Sequence, residues 1–229
     1  MQLDLEIITH LEAQKAKIDQ KLAELSDTEP WADNMVYRMQ LPGFGLLASM
    51  ILLDAVGDIA RFSHPKKLVG YAGLGAGVHD SGEKHRDKSI TKEGRRELRW
   101  ALVQAAWGAV RSDPYWKAQY QRLTQVKHPN QAIVAIARRL LVAAWHILTK
   151  REAYRHFDEE AIAYKMMIWS QRMDQKALHG LTRQQFIKYG LLRLGLGQEL
   201  TRIVKGGFPR RIAPTEEVLA LRPDLRPPG

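Results

Sequence analysis

An all-α fold is predicted for this chain, and three observations predict it. Apolar residues recur at helical spacing along most of its length. Pro and Gly clusters interrupt that spacing where helices would have to end. No alternating apolar run is long enough to build a sheet, and no internal repeat is apparent. At 229 residues the chain suits one compact domain with extensions.

Residues 1–26 read as one helix. Ile8, Lys15 and Leu22 fall on one heptad position, and Leu11, Ile18 and Leu25 on the other. A seam of fewer than three heptads is too short to stand alone, so residues 1–30 are expected to pair with another helix or a second copy of the chain. Ser26-Asp27-Thr28-Glu29-Pro30 ends this helix. Next, Leu41-Pro42-Gly43-Phe44-Gly45 leads into an apolar helix, Leu46–Val56, followed by Gly57-Asp58-Ile59 and Phe62. This pattern predicts a helix-hairpin-helix. Its small residues, Gly43 and Gly45, would let backbone N–H groups approach a phosphate at a helix N-terminus. An ordinary tight connection between helices is the alternative.

From Ser63 to Thr91 the sequence is loop-like and glycine-rich, with Tyr71-Ala72-Gly73-Leu74 as its apolar anchor. A helix is predicted from about Lys92 to Val110, with Leu98, Ala101, Leu102, Ala105, Ala106 and Ala109 on its packing stripe. Lys92, Arg95, Arg96 and Arg99 crowd its first turns, where cations oppose the helix dipole unless an anion sits there. After Asp113-Pro114 come a linker helix with Trp116 and Tyr120 and an apolar helix over 131–149, expected to pack on the alanine-rich one. Arg138 and Arg139 sit at the centre of that apolar helix. Each would cost roughly 2.5–3.5 kcal/mol in a bilayer, so the helix is expected in a protein core and no membrane partner is predicted. Residues 38–155 thus form the helical domain. Residues 156–229 read as a basic C-terminal extension, partly disordered, with disorder expected after about Arg211.

The net charge is +10 and the isoelectric point about 9.8, which favours a polyanionic partner. Cysteine is absent, excluding disulfides, thiolate metal sites and a cysteine nucleophile. The opening residues carry no basic n-region and no cleavage site, so they are not a signal peptide, and a cytoplasmic, nucleoid-associated location is expected. The candidate nucleophiles are hydroxyls. Ser81 precedes Gly82 and is followed by Lys84, His85, Arg86 and Lys88. Attack by a serine on a phosphodiester needs cations to neutralise the developing charge and an acid for the leaving oxygen. Arg86, Arg95 and Arg96 could supply the first and His85 the second. On spacing alone a Ser-Gly pair is ordinarily a turn. Asp54, Asp58, Asp80 and Asp87 lack the rigid strands a metal-dependent nuclease would need, so no metal is assigned to this chain.

One set of motifs carries further. Leu41-Pro42-Gly43-Phe44-Gly45, Gly57-Asp58-Ile59 with Phe62, Leu68 with Tyr71-Ala72-Gly73-Leu74, Ser81-Gly82, Ile90-Thr91-Lys92 with Gly94, Leu98-Arg99 and Ala105-Ala106-Trp107 occur in order. The chain over about 38–155 resembles the transposase domain of the "IS one-ten" insertion-sequence family, the RuvC-plus-serine recombinases guided by a bridge RNA. The resemblance implies that Ser81 is the nucleophile that joins covalently to DNA. It implies DNA and a guide RNA as partners; the residues expected to hold nucleic acid, read from the glycine turn and the basic runs, are Gly43, Gly45, Lys66, Lys67, Lys84, Arg86, Lys88, Lys92, Arg95, Arg96 and Arg99. It also implies a RuvC-like domain with an Asp-Glu-Asp-Asp metal site, joined through a coiled coil whose tail residues 1–26 resemble, with homo-oligomer contacts there. That domain is not found in this sequence. A truncated reading frame, a fragment or one piece of a split transposase is therefore expected, with Mg²⁺ only on a RuvC-like domain from another chain. The alternative function is a catalytically inert remnant that binds nucleic acid.

Overall fold

A computed structural model describes residues 2–81 and 84–225, with 76–81 and 84–89 described by their backbone alone. In chain order the first elements are α1 (Gln2–Ser26), α2 (Ala32–Met39), α3 (Leu46–Val56), a single 3-10 turn (Ile59–Arg61), α4 (Pro65–Tyr71), β1 (Ala76–Ser81) and β2 (Lys84–Ile90). There follow α5 (Arg96–Ser112), α6 (Pro114–Thr124), α7 (Pro129–Lys150), α8 (Glu159–Gln171), a 3-10 turn (Gln175–Leu178), α9 (Arg183–Arg193), β3 (Arg202–Ile203), β4 (Arg210–Arg211) and α10 (Thr215–Leu221). The fold is all-α as predicted; among the described residues the only sheets are two-stranded ribbons, β1–β2 and β3–β4. The chain divides into two compact units, Met1–Val36 with Asp158–Gly229, and Tyr37–Phe157. Composition separates 1–30 from 156–229; the structure joins them in one unit.

In the unit Tyr37–Phe157, three helices start on the same local device. His64, Asp113 and His128 each accept a backbone N–H from two or three residues on, and a Pro follows each at the first helical position. The core is α5 against α7, joined by α3 and α4. Leu98, Leu102, Ala105, Ala106 and Ala109 of α5 meet Ile136, Ala137, Leu140, Leu141 and Ala144 of α7 in one buried cluster. Each fully buried leucine there contributes about 1.5–3 kcal/mol. This is the central pair that the alanine stripe predicts. Helix α7 is the one described helix long and apolar enough to cross a membrane, and half of its apolar window is buried in this core.

The turn before α3 packs on the small face of α5. Gly43 has φ +76°, and a Cβ built on it would lie 2.6 Å from the Ala109 nitrogen and closer still to the Ala105 oxygen. Gly108 reciprocates: its Cβ would lie 3.0 Å from the Gly43 Cα. Beside this contact, Phe44 is fully buried and the Arg38 guanidinium lies 4.4 Å over its ring. Arg38 itself is fully buried, and none of its three guanidinium nitrogens has a hydrogen-bond partner among the described residues. Burial pushes its pKa down to about 9.

Three expectations are corrected here. Residues 63–91 are not a loop: they fold as α4 and the β1–β2 hairpin. The sequence hides the strands because Ala76–Ser81 and Lys84–Ile90 carry no apolar alternation; their pairing rests on backbone bonding, Ala76 opposite Ile90 and Ser81 opposite Lys84. Helix α5 starts at Arg96, because Lys92 takes a left-handed φ of 56° that ends any helix there. Past Arg211 the described chain is not structureless: it forms α10, with Ile212, Ala213 and Val218 buried.

In the other unit α8 packs on α9, and the end of α1 is tied to them by Trp169 Nε1 donating to Ser26 Oγ at 2.8 Å. A 2.6 Å contact joins His179 to Asp27 nearby. Lys188 is buried and donates to the carbonyls of Gly197 and Leu200, both at 2.7 Å. It thereby pins the glycine-bearing loop after α9 and satisfies acceptors that would otherwise be costly to bury.

Candidate nucleic-acid interface

The sequence-predicted site residues lie on three elements of the unit Tyr37–Phe157: the turn before α3, the start of α4, and the hairpin with the start of α5. The backbone joins the end of α4, not its lysine-bearing start, to the hairpin and the approach to α5. Lys92 N–H donates to the Gly73 carbonyl at 3.2 Å, Thr91 N–H to Gly75 at 3.0 Å and Arg95 N–H to Tyr71 at 3.3 Å. Gly94 makes this join possible, since a Cβ there would lie 2.6 Å from the Gly73 nitrogen and closer still to the Tyr71 oxygen. The β1–β2 hairpin therefore rises from a base formed by the end of α4 and the approach to α5. Ser81 is the last residue of β1, in register with Lys84, and His85 pairs with Asp80 and Arg86 with His79. Lys88 is also in β2. Gly82 lies outside the described residues, as do the side chains of Ser81, Lys84, Arg86 and Lys88.

The cations of these elements differ in where they lie and what they do. Lys66 and Lys67 are exposed in the first turn of α4, and Lys92, Arg95 and Arg96 are exposed before and at the start of α5. Arg95 makes a 3.4 Å ion pair with Asp54, but both side chains are more than half exposed, so the pair is worth at most about 1 kcal/mol and is easily exchanged for a phosphate. Arg99 is half-buried, and its guanidinium donates to the carbonyls of Ala72 at 3.4 Å and Lys92 at 3.2 Å. It is a clasp for the hairpin base as well as a surface charge.

Helices α3 and α5 are the two in this part of the fold whose first N–H groups receive no side-chain cap, Gly45 and Arg95 being their cap residues. Helices α4, α6 and α7 are all capped. Uncapped N–H groups at a helix N-terminus are ready donors for an anion. At Gly45 a Cβ would meet nothing within 4 Å, so the backbone there is open. Gly43 is different: the space at its Cα is taken by α5, and its need for glycine is met inside the protein. In the sequence Gly43 and Gly45 look alike, and packing separates them. Asp58 caps the 3-10 turn through Ala60 N–H at 2.9 Å, as expected of a helix-terminal acid. Among the described residues no three His, Asp or Glu side chains cluster as a metal site.

Sequence reasoning passes over Trp100. It stands 52% exposed, one helical turn beyond Arg96 on the same face of α5. The signal is available, because a tryptophan off the Leu98–Ala105 stripe has no core to enter.

The family described as "Transposase IS116/IS110/IS902 family" matches residues 38–121. Similar curated proteins are the transposase for insertion sequence element IS1111A of Coxiella burnetii, 30% identical over 50% of this chain and 33% of its own length, and the insertion element IS900 uncharacterized 42 kDa protein of Mycobacterium paratuberculosis, 29% identical over 67% of this chain and 40% of its own. The insertion element IS110 uncharacterized 43.6 kDa protein of Streptomyces coelicolor is 25% identical over 62% of this chain and 34% of its own length. The chain thus spans well under half the length of these relatives.

Proposed function

We propose that the chain, whose residues 38–121 match the IS116/IS110/IS902 transposase family, binds DNA in the transposition of an insertion sequence and uses Ser81 as nucleophile on a DNA phosphate. The observation that carries this reading is the hairpin. It sets Ser81 at a strand end opposite Lys84, above a base where the uncapped start of α5 joins exposed Lys92, Arg95 and Arg96. In the proposed step the Ser81 oxygen forms a bond to phosphorus while one bridging P–O bond breaks. The serine proton passes to His85, and His85 protonates the departing sugar oxygen. Arg86, on β2 near Ser81, offsets the charge gathered on the non-bridging oxygens, while Arg95 and Arg96, about 16 Å away at the other end of the ribbon, hold the flanking backbone. Gly45, Lys66, Lys67, Lys84, Lys88 and Arg99 contribute backbone contacts that position the strand without reading its sequence. A guide RNA and a RuvC-like domain carrying Mg²⁺ are partners supplied from outside the described residues, and the setting is the nucleoid.

The test mixes purified protein with a radiolabelled donor–target junction, the element's flanking RNA and Mg²⁺, with and without a separately supplied RuvC-like domain. A protease-sensitive covalent DNA band is expected and should be lost in Ser81→Ala. No band in any combination, with DNA binding intact, would overturn the nucleophile assignment and leave a binding remnant.

The exposed seam of α1 supports self-association. Ile8, Leu11 and Ile18 are 51%, 60% and 64% exposed, although they fall on the heptad positions that a partner helix would cover. Sedimentation of Leu11→Glu combined with Ile18→Glu is expected to show a monomer at concentrations where the native chain associates. Unchanged association would remove α1 as the interface.

A further inference from the structure

On the α7 side of the unit Tyr37–Phe157 lies a cleft of about 700 Å³ that the transposition chemistry does not use. Its floor follows from the sequence of α7. Residues 138, 142, 146 and 150 are four apart and therefore share one face, which rises about 18 Å along the helix axis. Arg138, His146 and Lys150 stand exposed on that face, while Ile136, Leu140 and Ala144 are wholly buried on the other. The far wall is the segment after α7. Gln40 holds it in place, donating to the Glu152 carbonyl at 3.3 Å and accepting the Tyr154 N–H. That segment places Arg155 and His156 at the rim, where the His156 ring stacks on Tyr115 at 4.2 Å between centroids and 19° between planes.

Four permanent cations, Arg138, Arg139, Lys150 and Arg155, line the cleft against one carboxylate, Glu152. Arg139 donates to Gln119 at 2.8 Å. Among the described residues no ion pair engages Arg138, Lys150 or Arg155. Unpaired cations gathered in a cleft concentrate an anionic ligand there. The cations are spread along a helix rather than converging on one point, so the ligand is extended, with charge repeated along it. The Tyr115–His156 stack at one end gives a planar aromatic surface, and Tyr115 keeps 39% of its area exposed. A duplex keeps its bases stacked on each other and cannot use such a surface, whereas an unpaired base can.

We propose that this cleft binds an unpaired nucleic-acid strand, its phosphates along the Arg138–His146–Lys150 face of α7 and a base on the Tyr115–His156 stack. The proposal rests on the nucleic-acid-binding reading given above but not on Ser81, and it adds a second binding surface separate from the hairpin base.

Fluorescence anisotropy with labelled oligo-dT and oligo-U of about fifteen nucleotides, and with a blunt duplex of the same length, tests it. Both single strands are expected to bind more tightly than the duplex, and the preference between them identifies the source as DNA or RNA. Tyr115→Ala is expected to weaken strand binding about fivefold or more. Arg138→Gln with Lys150→Gln should lower the slope of log affinity against log salt by about 0.7 for each phosphate left without its cation. These side chains are exposed, and unchanged melting curves will show that the variants are folded. The comparison variant, Lys66→Gln with Arg95→Gln and Arg96→Gln, separates the two surfaces. Strand binding abolished in this comparison variant and unaffected in the cleft variants overturns the cleft while leaving the transposase reading standing. No strand binding by the native chain overturns the cleft outright. Iododeoxyuridine crosslinks recovered on the Tyr115 or His156 peptides would support the site, and crosslinks recovered only elsewhere would count against it.

Discussion

Gly43→Ala is expected to destabilise the unit Tyr37–Phe157 by roughly 2–5 kcal/mol, as the sum of two costs. A left-handed backbone costs a residue with a Cβ about 1–2 kcal/mol, and Gly43 has φ +76°. Overpacking adds about 1–3 kcal/mol, because the new carbon would press on the Ala105 oxygen and Ala109 nitrogen of α5. Those are backbone atoms of a core helix, so neither can step aside as a flexible side chain would. Against a total stability of about 5–15 kcal/mol this is a large fraction. Urea unfolding followed by circular dichroism is the measurement. Gly45→Ala is the control, with open space at the Cα and φ −99°, and should cost no more than about 1 kcal/mol. A Gly43→Ala protein that unfolds like the native chain and fails only to bind DNA would show instead that this glycine faces a phosphate.

Arg38→Met is expected to act in the opposite direction, raising stability by about 1–4 kcal/mol. The guanidinium is wholly buried and has no hydrogen-bond acceptor among the described residues, and Phe44 below it offers only a ring face. A cation–π contact returns at most about 2 kcal/mol of the several that dehydrating a charge costs. Methionine keeps the length and flexibility needed to fill the same space. The pH dependence follows from the depressed pKa. The unfolded chain holds the Arg38 proton up to the strongly alkaline range usual for a guanidinium, and the folded chain releases it at about 9. Protonation therefore favours unfolding: the penalty is complete below about pH 9 and fades as pH rises above it. Thermal melts of Arg38→Met should sit above those of the native chain at pH 7, and the gap should narrow at alkaline pH. A lower melting temperature at pH 7 would mean that the guanidinium is paired after all.

Much of the helical layout is legible in the residues because a helix is a local object. Pro114 and Pro129 after capping side chains mark two starts, and the apolar stripe on α5 marks the face it buries; the same device at His64-Pro65 is present in a stretch read as loop. The hairpin is not legible. Its strands satisfy their backbone by pairing with each other, and polar residues such as His79, Asp80, His85 and Arg86 leave no alternating apolar trace of that pairing. Of the candidate site, the sequence supplies the residue types and their order, from Leu41-Pro42-Gly43 through Ser81 to Arg99. It does not tell that Arg99 is half-committed to the carbonyls of Ala72 and Lys92, or that Trp100 stands beside Arg96 in solvent.

What the sequence determined by itself is an all-helical, cysteine-free, strongly basic chain whose motifs over about 38–155 resemble those of a transposase family. Periodicity, capping and net charge depend on neighbours within a turn or two, or on composition alone, so no packing information was needed to read them. Tertiary structure alone decided the use of each glycine and each cation. Gly43 and Gly45 are two residues apart in one motif, yet α5 closes over the first and leaves the second open. Tyr115 and His156, 41 positions apart, meet only because α6, α7 and the segment after them pack side by side. Contacts of that kind are set by which surfaces the core brings together, and no local pattern along the chain encodes them.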